Sequence, residues 1–210
     1  MQARLNPIPE SAVAQRLLAA ASEVMARSGE ASLRVQDVIE TAGVQAPVLY
    51  RHFGSREGLV QSVYLSWYLL EANDEGAMFS SRMAQAESKA EFRSHCEDLL
   101  RSMAGPNNAE RRRIRLEVLG SAVGRPELAE FISTAQRNAF AEVALAIAAG
   151  KERGWVRADL DPGVFVVWAS STMLGLGAVE QFGVLPDPTD WWIRFHLEAC
   201  SALLFGPDES

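Results

Sequence analysis

The 210-residue chain is short of several things, and each scarcity removes a class of function. It has two cysteines, Cys96 and Cys200, too few for a disulfide framework or a zinc module. It has no excess of positive charge: the net charge is −7, so it is not coated for nucleic acid or an acidic membrane. The opening MQARLNPIPE has no apolar stretch, so no secretory leader is expected. No repeat, low-complexity tract or useful strand-like alternation stands out. Nor does a Ser-His-Asp spacing, a metal-ligand cluster or a Gly-rich phosphate loop. No catalytic residue, metal or cofactor is therefore expected. His95 and Cys96 are adjacent, so on a helix they point about 100° apart and do not form a nucleophile–base pair. Both cysteines are expected to be buried free thiols.

Long hydrophobic runs are also scarce, with one exception. The 18 residues between Asp161 and Glu180 carry no charge. Ser170, Ser171, Thr172 and three glycines interrupt them, and a membrane span needs about 20 predominantly apolar residues. A helix buried in a core or at a subunit interface explains the run better, and a soluble cytoplasmic protein is expected.

What the chain has is apolar content, 48%, enough for a packed core. Its periodicity is helical throughout. Pro7, Pro9, Glu10 and Ser11 lead into Val13, Leu17, Leu18, Ala21, Val24 and Met25, which recur at helical spacing. Gly29 is expected to stop that helix as a left-handed cap. Val35, Val38, Ile39 and Ala42 predict a second helix over 34–42, ended by Gly43. A third fits between Gln45 and Phe53. Ser55 caps a fourth that runs to about Asn73, with Glu57 in its first turn. Further helices are predicted over 87–104, 108–123, 126–150, 162–181 and 188–205, separated by Pro and Gly.

The charge is uneven. Residues 1–70 hold six basic and six acidic side chains, so the whole −7 lies in 71–210. That split points to two parts with different jobs. The informative segment is 32–60, SLRVQDVIETAGVQAPVLYRHFGSREGLV. Two short helices joined by a tight turn at Gly43 are what a helix-turn-helix requires. Val44 plugs the space between them, and Val38, Ile39, Val48 and Leu49 close a small core against the first helix. Pro47 suits the first turn of the second helix, where its missing N–H costs nothing. Tyr50, Arg51 and His52 follow on that helix, and Arg56 opens the next, a cluster of phosphate and base-edge partners. Leu49 and Phe53 read as core. Tyr50 reads as a DNA contact, and His52 as either a contact or a packing residue.

Ala42-Gly43-Val44, then Leu49-Tyr50-Arg51-His52-Phe53, then Ser55-Arg56-Glu57 resemble the tetracycline-repressor (TetR) family of bacterial transcription regulators. The specific resemblance covers roughly 12–65. It implies an all-α homodimer. Residues 1–56 would form a three-helix DNA-binding domain, and 57–210 a helical ligand-binding and dimerisation domain. It further implies a repressor that leaves a palindromic operator when a small molecule binds. By the same resemblance Tyr50, His52 and Arg56 touch phosphates, while Gln36, Gln45, Ala46, Pro47 and Arg51 lie near bases or backbone. The sequence departs from the family at three places. Arg34 and Gln45 stand where small hydroxyl helix caps are usual, and Arg34 becomes a candidate for a phosphate. Val48 replaces a frequent Thr, which loses one donor or exchanges it for a thymine-methyl contact.

Met78, Phe79, Met103, Phe140, Trp168 and Met173 are candidates for an apolar ligand pocket, although such spacing also suits plain core. The helices at 162–181 and 188–205 are the expected dimer surface, with Ala169, Ser170, Gly175, Gly177 and Ala178 allowing close approach. Trp191, Trp192, Phe195, Leu203, Leu204 and Phe205 would supply its apolar area. The basic run Arg111-Arg112-Arg113 with Arg115 reads as a solvated face paired with nearby acids. The alternative to a regulator is a helical small-molecule-binding protein or enzyme that no longer reads DNA.

Overall fold

The computed structural model describes residues 5–6, 8–72, 75–183 and 189–206. Among the described residues it is all helix and no strand. The helices are α1 Ala12–Ser28, α2 Val35–Ala42, α3 Ala46–Phe53, α4 Arg56–Ala72 and α5 Glu75–Gln85. They continue with α6 Lys89–Ala104, α7 Ala109–Ala122, α8 Pro126–Glu152, α9 Pro162–Gln181 and α10 Thr189–Phe205. Short 3₁₀ turns occupy Glu30–Ser32 and Pro106–Asn108.

The starts follow the capping signals. Ser11 Oγ accepts from the Ala14 amide, Ser88 Oγ from Glu91 and Asp161 from Val164. Ser55 Oγ accepts from the Gly58 amide at 2.9 Å, which caps α4 as expected. Gly29 does take a positive φ of 76°, but with ψ at 164°, so it is not the left-handed cap expected of it. Its amide still bonds Met25 O at 2.9 Å, and the chain then turns straight into the 3₁₀ segment. Pro7, Asn73 and Pro188, which entered the expected boundaries, lie outside the described residues.

The chain folds as two compact units. The first combines Met1–Leu70 with Ser121–Ile132, and the second combines Glu71–Gly120 with Ser133–Ser210. In the first, α1 packs on α2 and α3. Leu17, Ala21 and Met25 of α1 are buried with Leu33, Val38, Ile39, Leu49 and Phe53. Leu59, Val60 and Val63 of α4 are buried too, as are Leu128 and Ile132 from the start of α8.

The second unit has its own core from α5, α6, α8, α9 and α10, with Phe79, Met83, Phe92, Ile147, Phe165, Met173, Leu176, Leu197 and Leu204 among its members. Here α6 and α8 meet over a glycine: a Cβ on Gly150 would lie 2.5 Å from Phe92 Cζ. A second close approach is at Gly177, where a Cβ would stand 3.1 Å from Arg112 Cβ and 3.2 Å from Leu116 Cδ1. The small residues Gly177 and Ala169 therefore serve packing within the chain and not an outer surface, and Leu204 is likewise interior. Gly175, by contrast, is open.

Candidate nucleic-acid interface

The turn between α2 and α3 is set by Gly43. Its φ of 66° and ψ of 40° lie in the left-handed region, which a side chain rarely adopts. From there its amide reaches the Glu40 and Ile39 carbonyls, and the Val44 amide bonds Ile39 O at 3.0 Å, closing the end of α2. Gln45 is extended at φ −105°, ψ 155°, and Pro47 sits in the first turn of α3 as its missing N–H predicts. Neither Arg34 nor Gln45 caps its helix through a side chain. Gly54, at φ 74°, ends α3 and returns its amide to Tyr50 O at 2.8 Å.

Burial then sorts the residues of α3. Leu49 and Phe53, four apart, are fully buried. Pro47, Tyr50 and Arg51 are exposed on the opposite side, beside the exposed Gln45. Tyr50 is 43% exposed. No hydrogen bond or ion pair engages the side chains of Gln45, Tyr50 or Arg51 among the described residues. Ala46, Val48 and His52 are half-buried at the margins of this face. His52 leans on Phe53 with ring centroids 6.4 Å apart, and its Nε2 is buried with no partner.

The remaining expected contacts are already engaged. Arg34 Nη1 donates to Ala31 O at 3.0 Å, and Gln36 Nε2 donates to Glu40 Oε1 at 2.6 Å, both in exposed positions. Arg56 spends Nε on Leu33 O and Nη2 on Glu30 O, at 3.1 and 2.8 Å. Its donors therefore stitch the entry of α2 to the start of α4.

Sequence reasoning missed the group behind this stitching. Arg125, from the segment between α7 and α8, puts Nη2 2.6 Å from Glu30 Oε1 and Nε 2.6 Å from Glu57 Oε1. Burial works against its charge, and the two carboxylates more than offset that and hold it protonated. Glu30 and Arg125 are 95 residues apart, so no local spacing could pair them.

The candidate ligand residues differ in burial. Phe79 and Met173 are buried in the core of the second unit, with Met103 and Phe140 packed partly buried against it, while Met78 and Trp168 are exposed. An open groove of about 780 Å³ between α6 and α10 is lined by other residues, Arg101, Ile193 and Leu197 among them. The basic run on α7 is paired with acids: Arg113 bonds Glu110 and Glu117. Arg112 departs from the solvated face expected of it, because it is 6% exposed and bonds Glu180 through two nitrogens.

Residues 17–63, which hold this helix-turn-helix, match the family model of bacterial regulatory proteins of the tetR family. The chain carries a tetR-family DNA-binding region. Its fold is that of solved TetR-family structures over nearly the whole length. A putative TetR-family regulator from Mesorhizobium loti superimposes with a TM-score of 0.69 at 16% identity, covering 93% of this chain and all of that one. One from Rhodococcus sp. gives 0.66 at 24% identity, covering 92% and 99%. A putative regulator from Saccharomonospora viridis, in complex with choline, gives 0.65 at 19% identity, covering 89% and 94%. No curated protein matches the chain. At these identities the likenesses establish the fold of the chain; operator and ligand are not carried over.

Proposed function

We propose that this chain is a cytoplasmic, non-enzymatic repressor of the TetR family that reads a palindromic operator as a homodimer and releases it when a small molecule binds. Residues 1–56 would carry the reading unit and residues 57–210 the ligand-binding and dimerisation part. The carrying observation is the outer face of α3: Gln45, Pro47, Tyr50 and Arg51 stand exposed side by side, and its three polar members have no partner among the described residues. An unpaired guanidinium and phenol on a short exposed helix suit phosphate oxygens and base edges. The half-buried His52 and the exposed Arg34 and Gln36 flank that face.

Dimerisation is supported by α9 and α10. Helix α9 is long and apolar enough to cross a membrane, with a mean hydropathy of 1.5, yet only 28% of that window is buried. Val164, Val167 and Trp168 of α9 and Trp191 and Phe195 of α10 are exposed together with Phe182. Val164, Trp168, Ser171 and Gly175 are spaced four, three and four apart, the stripe that a helix offers to a partner helix. A second copy bringing the same two helices would complete a four-helix interface.

The test is selection by the full-length chain from random duplexes at low salt. A palindrome with half-sites about 10 bp apart, or a multiple of that, is expected. Tyr50→Phe and Arg51→Ala should each weaken binding without changing the dimer mass. Enrichment of no sequence would refute the reading.

A further inference from the structure

The reading unit is completed by a segment from far along the chain, and the Arg125 guanidinium makes a polar connection to it. Arg125 uses all three of its nitrogens: Nη2 on Glu30, Nε on Glu57, and Nη1 on Ser121 O at 3.0 Å. Its carbon lies 5.7 Å from the centre of the Tyr64 ring. The Tyr64 hydroxyl in turn donates to Glu30 Oε2 at 3.1 Å. Glu57 also accepts from Gln61 Nε2. The Arg125 side chain is 19% exposed, against 27% for Glu30 and 44% for Glu57.

The places of the two carboxylates decide what this arrangement does. Glu30 stands in the 3₁₀ turn that feeds α2, and Glu57 stands in the first turn of α4, just after α3 ends at Gly54. Arg125 therefore holds the chain immediately before and immediately after the helix-turn-helix. Arg56 fastens the same two points through Glu30 O and Leu33 O. Without Arg125, two anionic side chains are left facing one site with no charge between them, and their repulsion acts to spread the ends of the reader.

We propose that Arg125 is a positioning residue for DNA reading, fixing α2 and α3 through Glu30 and Glu57 without touching DNA. The proposal rests on the DNA-reading function above. A reader held in its binding geometry only part of the time binds more weakly by that fraction. If release of the clamp leaves about a tenth of the molecules competent, the apparent Kd rises about tenfold.

The test uses the full-length chain and a fluorescein-labelled duplex carrying the sequence that the parent enriches from a random pool. Arg125→Gln and Glu57→Gln should each raise the Kd about tenfold at a temperature where circular dichroism shows both variants folded. Glu57→Gln removes little volume, so it carries the test if Arg125→Gln does not fold. The readout that separates positioning from contact is the salt dependence. Arg51→Ala should lower the slope of log Kd against log salt by about one, as loss of a phosphate partner does. Arg125→Gln should leave that slope at the parent value. A Kd within twofold of the parent for the folded variants overturns the proposal. So does a slope lowered as in Arg51→Ala, which would make Arg125 a direct contact. A parent that enriches no duplex refutes DNA reading itself and this inference with it, an outcome distinct from a parent that binds and variants that bind equally.

Discussion

Two neighbouring arginines on α7 should differ by several kcal/mol when each is cut to alanine. Arg112 is 6% exposed and its partner Glu180 is 18% exposed. The pair is bidentate, at 2.8 and 2.5 Å, and Arg112 Nη1 also donates to Met103 O and Gly105 O at 2.6 and 3.0 Å. Removing the arginine leaves a largely buried carboxylate uncompensated, which costs about 3–5 kcal/mol. Two carbonyls also lose a donor, although the partial exposure of Glu180 keeps the total near the lower end of that range. Arg113 is 35% exposed, and its partners Glu110 and Glu117 are 66% and 32% exposed one turn away on the same helix. Screening by solvent limits such pairs to about 0.3–0.5 kcal/mol each. For a chain of this size roughly 2–4 °C of Tm accompanies each kcal/mol. Arg112→Ala should therefore lower Tm by roughly 6–15 °C and Arg113→Ala by under about 4 °C. Urea unfolding followed by tryptophan fluorescence reads the same difference, since Trp155, Trp168, Trp191 and Trp192 lie in the unit that holds the pair. Arg112→Met with Glu180→Leu should recover most of the loss, because the desolvation penalty goes with the charges. An Arg112→Ala variant within about 1 kcal/mol of the parent, or no less stable than Arg113→Ala, would refute the reasoning.

Gly150→Ala should destabilise by about 1–3 kcal/mol despite the better helix propensity of alanine, since the new methyl meets the Phe92 ring; the second change Phe92→Leu should restore part of it, and an alanine variant as stable as the parent contradicts the packing. Burial pushes the thiols of Cys96 and Cys200 up to about 12. Ellman's reagent at pH 8 should leave both untouched until denaturant is added, and rapid labelling of the native chain would count against it. Desolvation holds the His196 imidazole below its ordinary value, between the Trp168 and Trp192 rings. The unfolded chain therefore takes up that proton first. Stability from this group is complete above about pH 6.5 and is lost as pH falls toward the depressed value. His196→Gln should flatten that part of the Tm–pH curve; an unchanged curve refutes the assignment.

The helix-turn-helix was legible because its signals are local. Gly43 sets a turn, Pro47 marks a first turn, and Leu49 with Phe53 fixes which side of α3 faces inward. The long helices were legible from breaks at Gly and Pro, and α9 was bounded at both ends by sequence alone. Helix α5 was not, because its buried apolar positions Phe79 and Met83 make one short stripe in a segment with Gly76, Ser80 and Ser81. Roles set by distant partners were hidden as well. Arg112 looked like its neighbours until α9 brought Glu180 against it, and Gly177 looked like a surface glycine until α7 lay over it. Arg56 matched a phosphate-contact position by motif, yet its donors reach carbonyls that no spacing rule connects to it.

The burial of Leu128 and Ile132 beside the helix-turn-helix bears on how this protein can be cut and recombined. A fragment ending near residue 56 keeps every side chain on the outer face of α3 but forfeits α4, the two apolar plugs from α8 and the arginine that bridges Glu30 and Glu57. Grafting only that fragment onto another regulatory body transfers the letters of the recognition sequence without the frame that aligns them. A chimaera that keeps its address must carry residues 121–132 along with the N-terminal seventy, so the smallest exchangeable part of this chain is discontinuous.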